Sequence, residues 1–185
     1  MIEELKNETN NLMESALKGL GSQLMKVRTG RAHPSLLDGV LVDYYGSMTA
    51  ISQVGQISTP EARLLQIQPF DKSMIAAIEK AILGKNLGVT PGNDGNVIRI
   101  PFPALTEEKR KDLIKSVRKL GEEAKIQIRN IRRDSNEEVK KLEKGKEISE
   151  DDSKKFQDEI QKITDVYVGK VDGVVSNKEK ELMTV

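Results

Sequence analysis

The chain has few of the side chains that carry chemistry. It contains no cysteine and no tryptophan, one histidine (His33), and only 3% aromatic residues. Without thiols there can be no disulfide, thiolate metal site or cysteine nucleophile, and a lone histidine cannot build a histidine-rich metal cluster. We therefore expect no metal site. His33 directly precedes Pro34, and we interpret it as a loop or capping residue.

Long apolar runs and nucleotide-binding motifs are missing as well. The longest uncharged stretch, Tyr44–Pro60, is too short and too polar to span a membrane, which needs about 20 apolar residues. No basic and apolar signal segment stands at the start. The glycine-containing segments Gly84–Gly88 and Gly92–Gly95 match neither GxxxxGK[ST] nor GxGxxG, so turns are the better interpretation. These observations predict a cytoplasmic protein that is not an enzyme, has no catalytic residues and binds no cofactor.

Both ends of the sequence have helical periodicity. The first 28 residues carry an apolar stripe at spacings of three and four: Ile2, Leu5, Thr9, Leu12, Ala16, Leu20, Leu24 and Val27. A second stripe follows Thr106, a plausible N-cap, and stops near Gly145, a good C′ residue: Leu113, Val117, Leu120, Ala124, Ile128, Ile131, Ser135, Val139 and Leu142. Ser149 and Asp152 have the spacing of a capping box. They precede a third stripe: Phe156, Ile160, Ile163, Tyr167, Val171, Val174 and Leu182.

The middle of the chain is different in character. It alternates turn residues with strand-like segments, namely Val40–Tyr45, Ala50–Val54, Arg63–Gln68 and Asn96–Ile100. Between them, Asp71 or Ser73 can cap a short helix whose Ile75, Ile78 and Ile82 share a face. These patterns predict that residues 31–104 form a small inserted α+β domain with one helix among short strands.

Three amphipathic helices cannot each bury a stripe alone, but an antiparallel bundle buries all three. The fold class is therefore α+β: a long antiparallel three-helix bundle from residues 1–29 and 106–185, with the small domain inserted. Two crossings join the parts, near Gly30–Pro34 and Pro101–Thr106.

The net charge of +1, from 30 basic and 29 acidic residues, hides a basic segment. Lys109–Arg133 holds ten basic and three acidic residues, a local net of +7. One side of the second long helix carries a basic stripe: Lys111, Arg118, Lys125, Arg129 and Arg132. Arg133 widens this stripe, and Arg28 and Arg31, at the end of the first helix, can extend it. A solvated helix face is one interpretation. The uniform sign and the arginine forks favour an external phosphate backbone, and the lack of interleaved aromatics favours RNA shape over base stacking.

Several stretches, in order, resemble the bacterial ribosome recycling factors over essentially the whole chain. They are Val27–Gly39, Tyr44–Gly46, Phe70–Ser73, Ile98–Leu113, Ile128–Asp134 and Lys146–Asp152. The resemblance implies a three-helix bundle and a small β/α/β domain, joined by a two-strand hinge and L-shaped like a tRNA. After Tyr44–Gly46 the family often has prolines, whereas this chain reads Ser47–Ile51, so we expect a differently shaped edge there.

The resemblance also implies an activity. Such factors bind the post-termination ribosome on large-subunit (23S) rRNA and, with elongation factor G and its GTP, split it into subunits. Arg132 is the first candidate for the rRNA contact, with support from Arg129, Arg133, Arg28 and Arg31, and with Arg118 and Lys125 on the same stripe. The small domain would face elongation factor G and turn about a hinge at Gly30, Pro34, Pro101, Pro103 and Thr106. We expect a monomer; the alternative is a helical-bundle adaptor protein without RNA affinity.

Overall fold

The computed structural model describes residues 1–184, which form two compact units. The first unit combines Met1–Val27 with Glu107–Thr184, and the second is Arg28–Thr106. Three long helices make up the first unit: α1 (Ile2–Met25), α4 (Glu107–Lys144) and α5 (Glu150–Thr184). The second unit holds the short helices α2 (Ile51–Val54) and α3 (Ile75–Gly84) and six strands: β1 (Leu41–Tyr44), β2 (Ser47–Ala50), β3 (Gly55–Glu61), β4 (Leu64–Pro69), β5 (Gly92–Asn93) and β6 (Ile98–Pro101).

The three long helices pack as an antiparallel bundle. The hydroxyls of Thr9 on α1 and Ser135 on α4 form a buried hydrogen bond of 2.7 Å, whereas the later α1 residues 16–23 face the earlier α4 residues 123–127. Helix α1 is therefore antiparallel to α4. It is parallel to α5, because Lys6 pairs with Glu159 at 2.6 Å and Glu14 accepts a 3.0 Å bond from the Tyr167 hydroxyl. The predicted fold class, an α+β chain with a three-helix bundle and a small inserted unit, is confirmed.

The apolar stripes of the helices form the bundle core, with one correction on α1. Leu12 is 49% exposed, whereas its neighbour Met13 is completely buried. The buried positions of α1 are Thr9, Met13, Ala16, Leu20 and Leu24. Because an α-helix has 3.6 residues per turn, a step of either three or four after Thr9 keeps the periodicity. Packing against both α4 and α5 selects the step of four.

The end of α4 differs by one residue from the prediction. The left-handed C′ position is occupied by Lys146 (φ 59°), and Gly145 precedes it. The Lys146 N–H donates to the carbonyl of Glu143 at 2.9 Å, and the Glu147 N–H donates to that of Leu142 at 3.0 Å. This pair of bonds is a Schellman motif, which satisfies carbonyls that the helix end leaves without partners.

The other predicted helix boundaries hold in part. Helix α1 ends at Met25, three residues before the predicted end. At the start of α5 the Ser149 hydroxyl accepts a 3.1 Å bond from the Asp152 N–H, as an N-cap does. The same hydroxyl donates to the Asp152 carboxylate at 2.6 Å, so Asp152 binds the side chain of the cap. Its hydrogen bonds to Ser149 hold the pKa of Asp152 below its ordinary value.

The second unit is built from antiparallel strands and α3. Strands β1 and β2 form a hairpin whose turn residues, Tyr45 and Gly46, both have positive φ (51° and 85°), as the tightest hairpin turns require. The remaining strands form a sheet in the order β3-β4-β6-β5. Asp71 caps the 3₁₀ turn before α3 through the Ser73 N–H. The predicted face of α3 is buried in the core with the sheet: Ile75, Ile78, Ile82, Leu65, Ile67, Ile98 and Ile100.

One prediction for this unit is wrong, and one strand was not predicted. The segment Ala50–Val54 was expected as a strand, but Ile51–Val54 forms a helical turn that buries Ile51 and Val54 on one side. The strand β3 was not expected, because its outer residues are polar or proline and its inner face carries little apolar periodicity. It is an edge strand, and such strands tolerate proline.

Candidate nucleic-acid interface

The predicted basic stripe lies along the edge of α4 that faces α5. Arg118, Lys125 and Arg132 follow each other at intervals of seven and each contacts a side chain of α5. A repeat of seven returns to nearly the same side of a helix, so the three cations stay beside the partner helix, as the flanking positions of a coiled coil do. The stripe is therefore partly an interhelical seam.

Two members of the stripe bind carboxylates of α5, and a third, Lys111, pairs with Glu107 of its own helix at 2.9 Å. Arg118 makes a two-bond contact with the Glu179 carboxylate at 2.7 and 3.2 Å, and the hydrogen bond from this guanidinium lowers the pKa of Glu179. Lys125, with a side chain 16% exposed, binds Asp172 at 2.5 Å and Glu122 at 3.1 Å. The hydrogen bond to Asp172 is the main reason why the pKa of Lys125 is raised. The positive charges of Arg118 and Lys125 are therefore balanced by carboxylates of the chain itself and do not require an external phosphate.

Three arginines further along α4 have a different environment. We call Arg129, Arg132 and Arg133 the arginine cluster; their spacing of three and four residues places them on adjacent positions of the helix surface. Arg132 donates to the amide oxygen of Gln161 at 2.7 Å, and Arg133 donates to that of Asn130 at 2.6 Å. Within residues 1–184 none of the three has a carboxylate at ion-pair distance.

An amide oxygen orients a guanidinium without cancelling its charge. The arginine cluster therefore presents three full positive charges on one stretch of α4, where Arg129 and Arg133 are exposed and Arg132 is partly exposed. Each guanidinium has five N–H donors in a planar fork, which matches the oxygens of a phosphate group. Chemically, the cluster can bind a polyanion, and it offers no group that could act as a nucleophile or general base.

The sequence suggested that Arg28 and Arg31 belong to the end of α1. They do not, because that helix ends at Met25. Both lie in the second unit and are exposed, and neither forms an ion pair with a described residue. His33, between them and the first 3₁₀ turn, caps that turn: its Nδ1 accepts a 3.1 Å bond from the Ser35 N–H. The capping interpretation of His33 is confirmed.

The candidate hinge residues occupy several environments. Gly30 has a left-handed backbone (φ 80°), which glycine adopts without strain. Pro34 opens the 3₁₀ turn Pro34–Leu37, and Pro101 is the last residue of β6. Pro103 and Thr106 lie in the irregular segment before α4.

Backbone bonds tie the inner ends of both crossings to the small sheet. The Ala32 N–H donates to the carbonyl of Ala62, and the Phe102 N–H donates to that of Arg63, each at 2.8 Å. Among the described residues, 28–31 and 103–105 make no such backbone bond to the sheet.

The glycine-containing segments contain turns, as predicted, although Gly84 is the last residue of α3 and Gly92 is the first residue of β5. Gly88 and Gly95 have positive φ, and the Asp94 carboxylate accepts bonds from the N–H groups of Asn96 and Val97, each at 3.0 Å. These backbone bonds lower the pKa of Asp94. Across the described part of the chain, His, Asp and Glu side chains nowhere gather in the threes that a metal ion needs. In the same residues, no helix has the length and apolarity to cross a membrane.

Sequence reasoning missed the α5 side of the interface. This side carries acids at intervals of seven, and because α5 is antiparallel to α4 they follow the cations of α4 in reverse order: Glu179, Asp172 and Asp165. In addition, Gln161 contacts Arg132. The acidic spacing is visible in the sequence. The role of Gln161 is not, because it depends on which residue of the neighbouring helix it meets.

The chain is similar to known proteins over its full length. The family model for "Ribosome recycling factor" matches residues 20–183. Ribosome-recycling factors of Bacillus pumilus and a Geobacillus species are 54% and 52% identical to it, over all of both chains. A solution structure of a ribosome recycling factor has a TM-score of 0.75 at 38% identity and covers 100% of this chain and 98% of its own.

A second solved structure describes a complex. It contains models of the T. thermophilus ribosome recycling factor and E. coli elongation factor G bound to the E. coli post-termination complex. Its matching chain is 42% identical and has a TM-score of 0.62, and the alignment covers 98% of each chain. The family model matches most of the chain, and the relatives align with it over their full length at more than 50% identity. The chain therefore belongs to the ribosome recycling factor family.

Proposed function

We propose that the chain binds the post-termination ribosome on large-subunit rRNA and, together with elongation factor G and GTP, splits it into subunits so that mRNA and tRNA are released. The observation that carries the rRNA contact is the arginine cluster: three adjacent cations without a carboxylate partner in residues 1–184. Membership of the family supports the role, as does the related factor bound with elongation factor G to a post-termination complex.

Within this proposal the cations of α4 have two roles. Arg129, Arg132 and Arg133 hold rRNA phosphates, because their charge is uncompensated within the described chain. Arg118 and Lys125 already bind carboxylates of α5, so they mainly fasten the helix pair and add little to RNA affinity. Arg28 and Arg31, both exposed, give further phosphate contacts from the second unit.

The energy source in this proposal belongs to the partner. The sequence has no phosphate-loop motif, so the GTP would be bound and hydrolysed by elongation factor G. This chain would act without a cofactor of its own, as a cytoplasmic monomer that binds and moves rather than as an enzyme.

The movement would be a rotation of the small unit about the two crossings. Gly30 lies in the first crossing, and Pro103 and Thr106 lie in the second. Pro34, in its 3₁₀ turn, and Pro101, at the end of β6, would anchor the moving ends. Because the chain has no cysteine, an engineered pair can form a single disulfide between the units. That cross-link should block splitting and leave ribosome binding intact; full splitting by the locked form would contradict a required rotation.

The experiment that tests the proposal combines a splitting assay with a matched pair of variants. Wild type should split post-termination ribosomes, followed by light scattering, only when elongation factor G and GTP are present. Arg132→Ala and Arg118→Ala remove the same charge from the same helix. Arg132→Ala should weaken binding to the large subunit and lower the log–log salt slope by about one ion per lost phosphate contact. Arg118→Ala should leave the slope unchanged.

Two results would contradict the proposal. If the wild type binds the large subunit without salt dependence, the electrostatic account is wrong. If it binds neither ribosomes nor RNA but associates with another protein, the adaptor alternative is correct.

A further inference from the structure

Three cations of α4 and three acids of α5 form a regular ladder. Arg118 binds Glu179 and Lys125 binds Asp172, so a step of seven up one helix matches a step of seven down the other. The next step brings Arg132 level with Asp165. This third rung forms no ion pair, although both residues carry the same kinds of charge as the first rung.

Gln161 lies between the two charged groups of the third rung. Its Oε1 accepts a bond of 2.7 Å from Nη1 of Arg132, and its Nε2 donates a bond of 2.8 Å to Oδ1 of Asp165. Gln161 precedes Asp165 by one helical turn, so the two side chains lie on the same face of α5. An amide is suited to this position because one end accepts and the other donates. Neither a carboxylate nor an ammonium could do both.

Through this arrangement the carboxylate is bound by an amide N–H and the guanidinium by an amide oxygen. Arg118 shows the alternative: its guanidinium meets the acid of its rung directly and spends two donors on it. Arg132 spends one donor on a neutral group, so its charge and its remaining donors stay available to an external anion.

We infer that Gln161 is a positioning residue, which keeps Arg132 from pairing with Asp165 and thereby keeps it ready for phosphate. The inference rests on the proposed function, since it assigns a partner to the arginine that binds rRNA. It predicts that affinity for the large subunit depends on a neutral residue that need not touch the RNA.

The test uses the full chain and large ribosomal subunits at several salt concentrations. In Gln161→Ala, Arg132 can close onto Asp165 as Arg118 does onto Glu179. We expect the Kd to rise roughly two- to fivefold, the range of an exposed ion pair, with a smaller salt slope. Adding Asp165→Asn removes the competing carboxylate and should restore both the Kd and the slope. A merely structural role of Gln161 would not be rescued by Asp165→Asn.

A matched control is Gln157→Ala, one turn earlier on α5. The Gln157 amide donates to the Ser153 hydroxyl and forms no hydrogen bond with an arginine of residues 1–184, so this variant should bind like the wild type. Gln161 and Asp165 are both exposed, so their variants should fold normally, which circular dichroism checks.

The outcomes separate the inference from the proposed function. If Arg132→Ala weakens binding but Gln161→Ala does not, the inference is wrong and the rRNA contact stands. The inference is also wrong if Asp165→Asn fails to restore the affinity lost in Gln161→Ala. If Arg132→Ala itself binds normally, the rRNA contact and the inference fall together.

Discussion

The sharpest stability prediction concerns one glycine at the contact of two long helices. Gly121 is buried on α4, and a Cβ built there would lie 2.5 Å from Cγ2 of Val175 on α5. Gly169, on the exposed side of α5, would place its Cβ with nothing within 4 Å. The same substitution, glycine to alanine, should therefore stabilise the protein at Gly169 and not at Gly121.

The magnitudes follow from two opposing terms. Alanine is favoured over glycine inside a helix by about 1 kcal/mol, and at Gly169 this gain stands alone. At Gly121 the new methyl group lies about 1 Å inside the normal carbon–carbon contact of roughly 3.5 Å. Val175 cannot easily rotate away, since valine in a helix strongly prefers one rotamer, and overpacking costs about 1–3 kcal/mol. Gly121→Ala should thus be neutral to about 2 kcal/mol less stable, and about 1–3 kcal/mol below Gly169→Ala.

Urea unfolding followed by helical circular dichroism measures this difference. The midpoint should fall or stay level for Gly121→Ala and rise for Gly169→Ala, with the slope unchanged. A double-mutant cycle with Val175→Ala should show that the cost at Gly121 depends on the valine side chain. If Gly121→Ala stabilises the protein as much as Gly169→Ala, or if the cycle shows no coupling, the close helix contact is refuted as the reason for the glycine.

Three further predictions concern the core, a helix end and acid stability. Met13→Ala should lower the free energy of unfolding by about 2–5 kcal/mol and the exposed Leu12→Ala by under about 1 kcal/mol, measured by urea unfolding; equal losses would contradict the assigned stripe. Lys146→Gly should raise that free energy by roughly 0.5–1 kcal/mol, because glycine adopts the left-handed C′ conformation without strain, and a lower thermal midpoint would speak against it. Since Arg118 lowers the pKa of Glu179 in the folded state, the pair stabilises the protein above the ordinary value of 4.5 and loses this contribution as the pH falls below it. Glu179→Gln should therefore be less stable than wild type at neutral pH and converge with it in acid; a constant difference across this range would count against the ion pair.

Much of the fold is written in local sequence patterns. The apolar stripes of α4 and α5 contain most of the residues that the structure buries, among them Ile128 and Ile160, but not Gly121, Ser153 or Thr164. Ser149 was recognisable as an N-cap, because capping depends on residues within one turn. The strand β3 was not recognisable, because an edge strand is specified by its partner β4 more than by its own periodicity.

The positive charge on α4 was equally visible, since spacing alone puts the cations on one side of a helix. What each cation does was decided by the helix packed against it. Antiparallel packing brings carboxylates to Arg118 and Lys125 and an amide to Arg132. Those partners are 61, 47 and 29 residues away along the chain.

By itself, then, the sequence determined the helices, their apolar faces and the side of α4 that carries positive charge, since each of these depends on neighbours within one or two turns. The tertiary structure alone decided that Met13 rather than Leu12 enters the core, that Gly121 accommodates Val175, and which arginines keep their charge uncompensated. These outcomes depend on contacts between residues far apart in the chain, and only packing brings such residues together.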